Sequence, residues 1–205
     1  MLEIYHAPHT RSLRVIWLCA ELNVPLRVIP VDFSAAYRST PEWRALNPVG
    51  KVPVLRDGDI TMFESGAMVE YILSRYGDGR LRPAPDAADY PLYLQWCWFA
   101  EATMARPLGE LVNHAREFSG REIPEVRAEM IDRSVLSAEA LGDAVADRDY
   151  LLGDSFSAAD IMAGYSVRLV EMLIPERMPE QLAPYWSRLQ QRPAYQQACA
   201  ANEAD

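Results

Sequence analysis

The sequence predicts an α/β domain followed by an all-α domain, and three observations support this prediction. Residues 1–76 alternate short apolar segments typical of strands with longer segments of helical spacing. An Asp57–Gly58 pair between two of these segments is a strong hairpin signal. Beyond a Gly- and Pro-rich stretch at 77–89, the apolar residues have helical spacing and no strand pattern. The 205 residues suffice for two small domains.

The N-terminal domain begins with a predicted strand–helix–strand unit. Residues 2–6, LEIYH, are typical of a short strand, and Pro8 follows them. Residues 11–22, RSLRVIWLCAEL, contain no Gly or Pro and predict a mostly buried helix. Asn-Val-Pro at 23–25 ends this helix, and LRVIPV at 26–31 predicts the second strand. Because a helix joins the two strands, we expect them to be parallel.

A hairpin and a further helix complete the domain. A polar stretch with a possible short helix at 41–46 precedes VPVLR and DITMF, the two segments that flank the turn signal and must be antiparallel. Residues 64–76 have helical spacing, and Gly77 and Gly79 end that helix. The order βαβ–ββα predicts a four-stranded mixed sheet with helices on its faces, which is a thioredoxin-like arrangement.

The rest of the chain is predicted to be helical. We expect a domain at 1–79, a linker at 80–88 and an all-helical domain at 89–205. The predicted helices lie at roughly 89–118, 124–147, 157–173, 179–191 and 193–202. Ser157 and Asp160 have the spacing of a capping box, with a carboxylate as the second member.

Composition excludes several classes of function. The net charge of −9, from 29 acidic and 20 basic residues, disfavours nucleic acid and anionic membranes as partners. No signal region and no apolar run of about 20 residues is visible, so we expect a cytoplasmic protein. The three cysteines are scattered and form no C-x-x-C pair, which argues against a disulfide framework and a zinc site.

Four segments carry a resemblance to a known family. HAPHTRSLRVIWLCAEL, NPVGKVPVL, ESGAMVEYI and FSAADI together resemble, in order and spacing, the cytosolic glutathione transferase family. The match covers essentially the whole chain, with a serine- or threonine-type stretch before the first helix. The resemblance implies a homodimeric, cytoplasmic detoxification enzyme with glutathione as co-substrate and no metal. In such an enzyme the glutathione thiolate attacks a hydrophobic electrophile. The alternative is a non-catalytic relative that acts as a regulator or interaction domain.

The resemblance also implies which residues bind glutathione. Pro53 corresponds to the cis-proline of thioredoxin-like folds, and the backbone of Val52 would pair with the cysteinyl part of the ligand. Glu64 and Ser65 would bind the γ-glutamyl end, with an ordinary helix cap as the alternative. Lys51, the only lysine, would pair with the glycyl carboxylate or remain solvated.

The group that stabilises the thiolate is left open between several residues. Thr10 occupies the serine-type position of the family, and Ser12 comes second. A backbone amide or Arg11 comes third, while Tyr5 fits the family spacing less well. Simple capping of the first helix is the alternative role of the two hydroxyls. Thioredoxin-type disulfide exchange is excluded, because no cysteine stands at the start of that helix.

The pocket for the second substrate is expected beside the first long helix of the C-terminal half. The candidates share apolar or aromatic character at helical spacing, although such residues are more often core than pocket. They are Trp96, Phe99, Met104, Leu108, Val112 and Tyr165, and His9, which precedes the first helix, is a further candidate for the same cleft.

Overall fold

The structure is a computed structural model that describes the backbone of residues 1–203 and the side chains of residues 1–201. Two compact units are present. The first consists of Met1–Leu81 together with Gln191–Asp205, and the second of Arg82–Gln190. No helix within the described residues is long and apolar enough to cross a membrane.

A four-stranded mixed sheet forms the centre of the first unit. Its strands are β1 (Leu2–His6), β2 (Leu26–Pro30), β3 (Val54–Asp57) and β4 (Ile60–Met62), in the spatial order β2-β1-β3-β4. β1 pairs with β2 in parallel, whereas β1 with β3 and β3 with β4 are antiparallel. The predicted thioredoxin-like arrangement of the first domain is thereby confirmed.

Four helices accompany the sheet before the second unit begins. They are α1 (Ser12–Leu22), α2 (Ala35–Arg38), α3 (Pro41–Leu46) and α4 (Ser65–Tyr76). α1 is almost entirely buried and ends at Asn23, which adopts the left-handed conformation. The short helix α2 was not predicted. Its local signal is Ser34, whose hydroxyl accepts the amide of Tyr37 at 3.2 Å.

The hairpin forms at the predicted position, shifted by one residue. Asp57 is the last residue of β3 and pairs with Ile60, so the turn residues are Gly58 and Asp59. Gly58 has a φ of +59°, the conformation that the first central residue of such a turn requires and that glycine adopts without strain. Any other residue at position 58 would have to adopt the same positive φ, which is strained for an L-residue.

The second unit is helical, as predicted. Its helices are α5 (Tyr90–Trp98), α6 (Ala105–Glu117), α7 (Pro124–Val145), α8 (Ala158–Leu173) and α9 (Leu182–Gln190), with a π-helical turn at Phe99–Met104 and a 3-10 turn at Pro175–Arg177. The π-helical turn joins α5 to α6, and the Ser166 hydroxyl donates to the carbonyl of Ala100 there at 2.8 Å. The predicted segment 89–118 is therefore helical throughout, with a wider turn inside it.

The predicted capping box begins α8. The Asp160 carboxylate accepts the Ser157 amide at 2.9 Å, the Leu151 amide at 2.9 Å and the Tyr185 hydroxyl at 3.0 Å. Burial raises the pKa of Asp160, and the donors around it oppose that shift. One carboxylate thus joins the helix start, the preceding loop and α9.

The last helix, α10 (Pro193–Glu203), belongs to the first unit, whereas the sequence predicts it as part of the helical domain at 89–205. Arg192 donates to both carboxylate oxygens of Glu21 on α1, at 2.6 and 2.8 Å. The ring of Tyr195 meets Trp17 of α1 edge-on, with 4.8 Å between centroids. Helical spacing predicts a helix here but says nothing of which neighbour it packs against.

Candidate functional site

Three segments leave the sheet of the first unit at the same end. β1 ends at His6, and its neighbour Tyr5 pairs with Val54, the first residue of β3. β4 ends at Met62, which pairs with Leu55 near that same start of β3. Residues 7–12, 51–53 and 63–65 therefore lie at one end of the sheet, and most of the predicted site residues belong to them.

The segment before β3 is a loop that the side chain of Asn47 supports. The Val52–Pro53 peptide is cis, as the resemblance implied. Asn47 is buried, and its side-chain amide donates to the carbonyl of Lys51 at 2.8 Å. The side chain of Lys51 is exposed, Val52 is half-buried and Pro53 is buried.

Glu64 has the most unusual backbone conformation in this region. Its φ of 77° and ψ of 105° lie outside the regions that L-residues ordinarily adopt, and its side chain is exposed. Its carbonyl accepts the amide of Met68 at 3.0 Å, so Glu64 caps α4. Strain of this kind persists where the surroundings enforce it, and it concentrates at functional sites.

Ser65 begins α4 and is buried, with a buried arginine beside it. Arg14 of α1 donates from Nη1 to the Ser65 hydroxyl at 3.2 Å; Arg14 is inaccessible, whereas Ser65 retains 4% exposure. Arg14 is absent from the predicted site. An arginine inside an otherwise apolar, buried helix was the available signal, because such a charge needs a polar partner.

Hydroxyl groups and a histidine meet at the start of α1. The Thr10 hydroxyl donates to the carbonyl of Ala7 at 2.7 Å and lies 2.9 Å from the Ser12 hydroxyl. Ser12 is completely buried and lies 2.6 Å from Nδ1 of His6, also completely buried. Thr10 itself is half-buried. His6 is absent from the predicted site. It follows Leu2 and Ile4 at every second position of β1, so the sequence pattern marks it only as an inward-facing strand residue.

The other predicted residues of this region occupy different environments. Arg11 is half-buried, and His9 is exposed with a φ of +61°. The Tyr5 hydroxyl accepts from Arg56 at 3.4 Å, and its ring meets Trp43 edge-on. Tyr5 thus contacts β3 and α3, apart from the hydroxyl groups at the start of α1.

The predicted second-substrate residues of the helical unit are not alike. Four of them are buried, namely Trp96, Met104, Leu108 and Tyr165. Phe99 is half-buried. Val112 is exposed and lines a surface cavity of about 340 Å³ together with His114 and Leu173, and none of the other candidates lines it. The assignment of these residues to one pocket stays a prediction.

The electrostatics of the site favour an anion. Two helices of the first unit, α1 and α4, begin here, and their N-terminal amides carry partial positive charge. Arg14 adds a full charge behind Ser65. Among the described residues, no group of three or more His, Cys, Asp and Glu side chains is arranged to hold a metal ion. Burial raises the pKa of the Cys19 thiol to about 12, so this thiol stays protonated at neutral pH.

The fold and this site define a protein with a thioredoxin-like domain followed by a helical domain. The family model described as "Glutathione S-transferase, N-terminal domain" matches residues 1–74. Glutathione S-transferase hmp2 of Hypomyces subiculosus is 32% identical over 167 residues, covering 73% of this chain and 74% of its own. Glutathione S-transferase 3 of Zea mays is 29% identical over 218 residues, with 98% and 94% covered.

A solved structure agrees with these sequence relatives. Glutathione transferase URE2P8 from Phanerochaete chrysosporium, crystallised with oxidized glutathione, superposes with a TM-score of 0.86 at 22% identity and covers 98% of this chain and 94% of its own. The chain belongs to the cytosolic glutathione S-transferase family. Its predicted fold class is thereby confirmed.

Proposed function

We propose that this protein is a glutathione S-transferase that binds glutathione in the first unit and ionises its thiol for attack on a hydrophobic electrophile. The observation that carries the proposal is the convergence of residues 7–12, 51–53 and 63–65 at one end of the sheet. Two comparisons support it. A relative named glutathione S-transferase matches nearly the full length of the chain, and a structural relative was crystallised with oxidized glutathione.

Each of the three segments meets one part of the tripeptide. The backbone of Val52, a half-buried residue, pairs with the cysteinyl residue as an added strand. The first amides of α4 and the Ser65 hydroxyl receive the γ-glutamyl carboxylate, with Arg14 behind them. The exposed carboxylate of Glu64 faces the ligand's ammonium group. Lys51, exposed at the edge of the loop, pairs with the glycyl carboxylate.

Thr10 then stabilises the sulfur as a thiolate. A thiol with a pKa of about 8.5 is only a few per cent ionised at pH 7. Lowering that pKa by about two units requires about 2.7 kcal/mol of preferential stabilisation of the anion. A charge-assisted hydrogen bond contributes about 1.5–3 kcal/mol, and a helix N-terminus up to about 2 kcal/mol. One hydroxyl and the start of α1 therefore suffice.

Two measurements on the wild-type protein test this function. Glutathione is titrated in by calorimetry, and the thiolate absorbance of the bound ligand is followed against pH. We expect binding and a thiol pKa about two units below that of free glutathione. Conjugation of glutathione to a nitro-activated aryl chloride should follow the same pH midpoint. Absence of binding at millimolar glutathione would refute the proposal.

A second candidate is a relative that binds glutathione without activating it. The observation in its favour is the Thr10 hydroxyl, whose single proton is donated to the carbonyl of Ala7. Stabilising a thiolate requires that this proton turn toward the sulfur. Normal binding with an unshifted thiol pKa would decide for this candidate.

The remaining features of the proposed function are an apolar co-substrate, a homodimer and a cytoplasmic role in detoxification. Trp98 and Leu136 of the helical unit are 70% and 68% exposed, and we propose them as positions to test for an interface between copies. Sedimentation equilibrium tests the homodimer directly. A concentration-independent monomer would contradict it.

A further inference from the structure

A continuous hydrogen-bond chain leads from the core of the first unit to the proposed site. Nδ1 of His6 lies 2.6 Å from Oγ of Ser12, and Oγ of Ser12 lies 2.9 Å from Oγ1 of Thr10. Oγ1 of Thr10 donates to the carbonyl of Ala7 at 2.7 Å. The two distances between oxygens are those of good hydrogen bonds, and the His6–Ser12 distance is slightly shorter than is usual for a nitrogen donor.

The direction of every bond in this chain follows from the last one. A hydroxyl group has one proton, and that of Thr10 is donated to Ala7, so Thr10 accepts from Ser12. The proton of Ser12 is thereby committed, and its oxygen accepts from His6. Nδ1 of His6 consequently carries a proton. The three side chains form a relay in which each group donates outward.

The relay runs from two buried side chains to a half-buried one. His6 and Ser12 are completely inaccessible, whereas Thr10 is half-buried and is the member that a ligand can reach. His6 occupies an inward-facing position of β1, where Leu2 and Ile4 precede it on the same face. A polar ring at a core position is costly unless it is hydrogen-bonded, and here its bond is made to the hydroxyl behind Thr10.

We propose that His6 and Ser12 are positioning residues that orient the Thr10 hydroxyl toward the sulfur of bound glutathione. This inference rests on the proposed function. Ser12 donates to the Thr10 oxygen and so fixes the position of that hydroxyl. The Thr10 proton stays free to turn from the carbonyl of Ala7 to the sulfur. Successive donors in one chain also polarise one another, which strengthens the last bond. No proton moves along the relay, since the thiol proton is released to solvent.

The inference predicts how individual variants change the bound thiol. Thr10→Val removes the donor and should raise the thiol pKa most. Ser12→Ala should raise it by about half a unit to one unit, because the loss of one cooperative neighbour weakens but does not remove the final bond. His6→Phe should shift it in the same direction. His6→Asn should restore part of the shift, since the Asn Nδ2 group can donate from a position close to that of Nδ1.

A double-mutant cycle on the full-length protein tests the relay. The thiol pKa of bound glutathione is read from thiolate absorbance against pH at saturating glutathione. Ser12→Ala should raise the thiol pKa in the wild type but leave it unchanged in a Thr10→Val background, because the relay acts only through Thr10. Ser137→Ala is the matched control. Ser137 is also a buried serine, and its hydroxyl donates within α7 to the carbonyl of Ser134.

The outcomes separate this inference from the proposed function. A wild type that binds glutathione and ionises it, with a Ser12→Ala variant of unchanged thiol pKa, overturns the relay alone. Equal shifts by Ser12→Ala in both backgrounds also overturn it, since they would mean that Ser12 acts directly. A wild type that does not bind glutathione overturns both. If Ser12→Ala does not fold, the comparison of His6→Phe with His6→Asn decides, and equal thiol pKa values in that pair overturn the relay.

Discussion

The guanidinium of Arg14 donates to the hydroxyl of Ser65 across 3.2 Å, with both side chains buried. Arg14 belongs to the first turn of α1 and Ser65 is the first residue of α4, so this bond joins the beginnings of two helices. A fixed positive charge therefore lies directly behind the group proposed to receive the γ-glutamyl carboxylate. We expect this buried charge to favour the binding of a carboxylate at Ser65.

Arg14→Met tests that electrostatic contribution while retaining most of the buried volume. We expect the affinity for glutathione to fall about tenfold, or about 1.4 kcal/mol, measured by calorimetry. Arg27→Leu is the matched control, because it removes an exposed cation of the same unit that pairs with Glu3. An Arg14→Met variant that folds and binds glutathione as the wild type does would exclude the role of Arg14.

Two substitutions at Glu64 should separate its role in binding from its effect on stability. Glu64→Gly and Glu64→Ala both remove the carboxylate, and each should weaken glutathione binding by an order of magnitude or more. Only the Gly variant also relieves the backbone at a φ of 77°, so it should unfold with a free energy about 1 kcal/mol higher than the Ala variant. Urea denaturation gives this difference. Unchanged affinity in both variants would refute the binding role of Glu64.

Asp57 should make the stability of the first unit depend on pH. The hydroxyl of Tyr76, that of Tyr71 at 2.8 Å and the nearby Arg75 hold the pKa of Asp57 below its ordinary value. Because the folded-state pKa is the lower one, this stabilisation is complete above the unfolded-state value of about 3.9 and is lost as the pH falls through the folded-state pKa. Urea titrations at a series of acidic pH values measure this loss.

Two variants isolate the Asp57 cluster. Tyr76→Phe should lower the free energy of unfolding by about 1.5–3 kcal/mol at neutral pH, the range for a hydrogen bond to a charged group. Asp57→Asn should flatten the acidic part of the pH profile, whereas Asp59→Asn, an exposed change in the same turn, should not. Identical profiles for Asp57→Asn and the wild type would contradict the assignment.

The contact between Glu21 and Arg192 should anchor the end of the chain. Arg192→Leu leaves the largely buried Glu21 carboxylate with the indole of Trp17, which donates at 2.9 Å, and removes both guanidinium bonds. We expect a loss of about 2 kcal/mol in unfolding free energy by urea denaturation. Arg133→Leu breaks the surface pairs with Glu129 and Glu110 and should cost less than about 1 kcal/mol. Equal losses in the two variants would contradict this prediction.

Much of the fold could be predicted because its signals are local. The Asp57–Gly58 pair predicts the hairpin, since a turn of two residues needs a positive φ that Gly58 adopts. Ser157 and Asp160 predict a helix start, because the atoms that form a capping box lie within one turn. Helix α2 was missed because four residues are too few to show a period.

The candidate site was predicted in part. Thr10, Val52, Glu64 and Ser65 stand in sequence motifs, and the sheet brings their segments to one end. His6 could not be assigned a role, because Leu2 and Ile4 make the apolar pattern of β1 complete without it. The charge of Arg14 indicates a buried polar partner but does not identify that partner. Their polar partners are Ser12 and Ser65, and only packing of the elements makes those pairs.

The amino-acid sequence by itself determined the order of the strands and helices, the hairpin and the capped start of α8, because the energies that select them act between residues a few positions apart. Only the tertiary structure decided that α10 packs on α1, that Arg14 reaches Ser65 and that His6 supports the hydroxyls at the start of α1. Those contacts join residues of different elements. These contacts depend on which faces of the helices and strands pack together, and a local sequence pattern does not specify the packing partner.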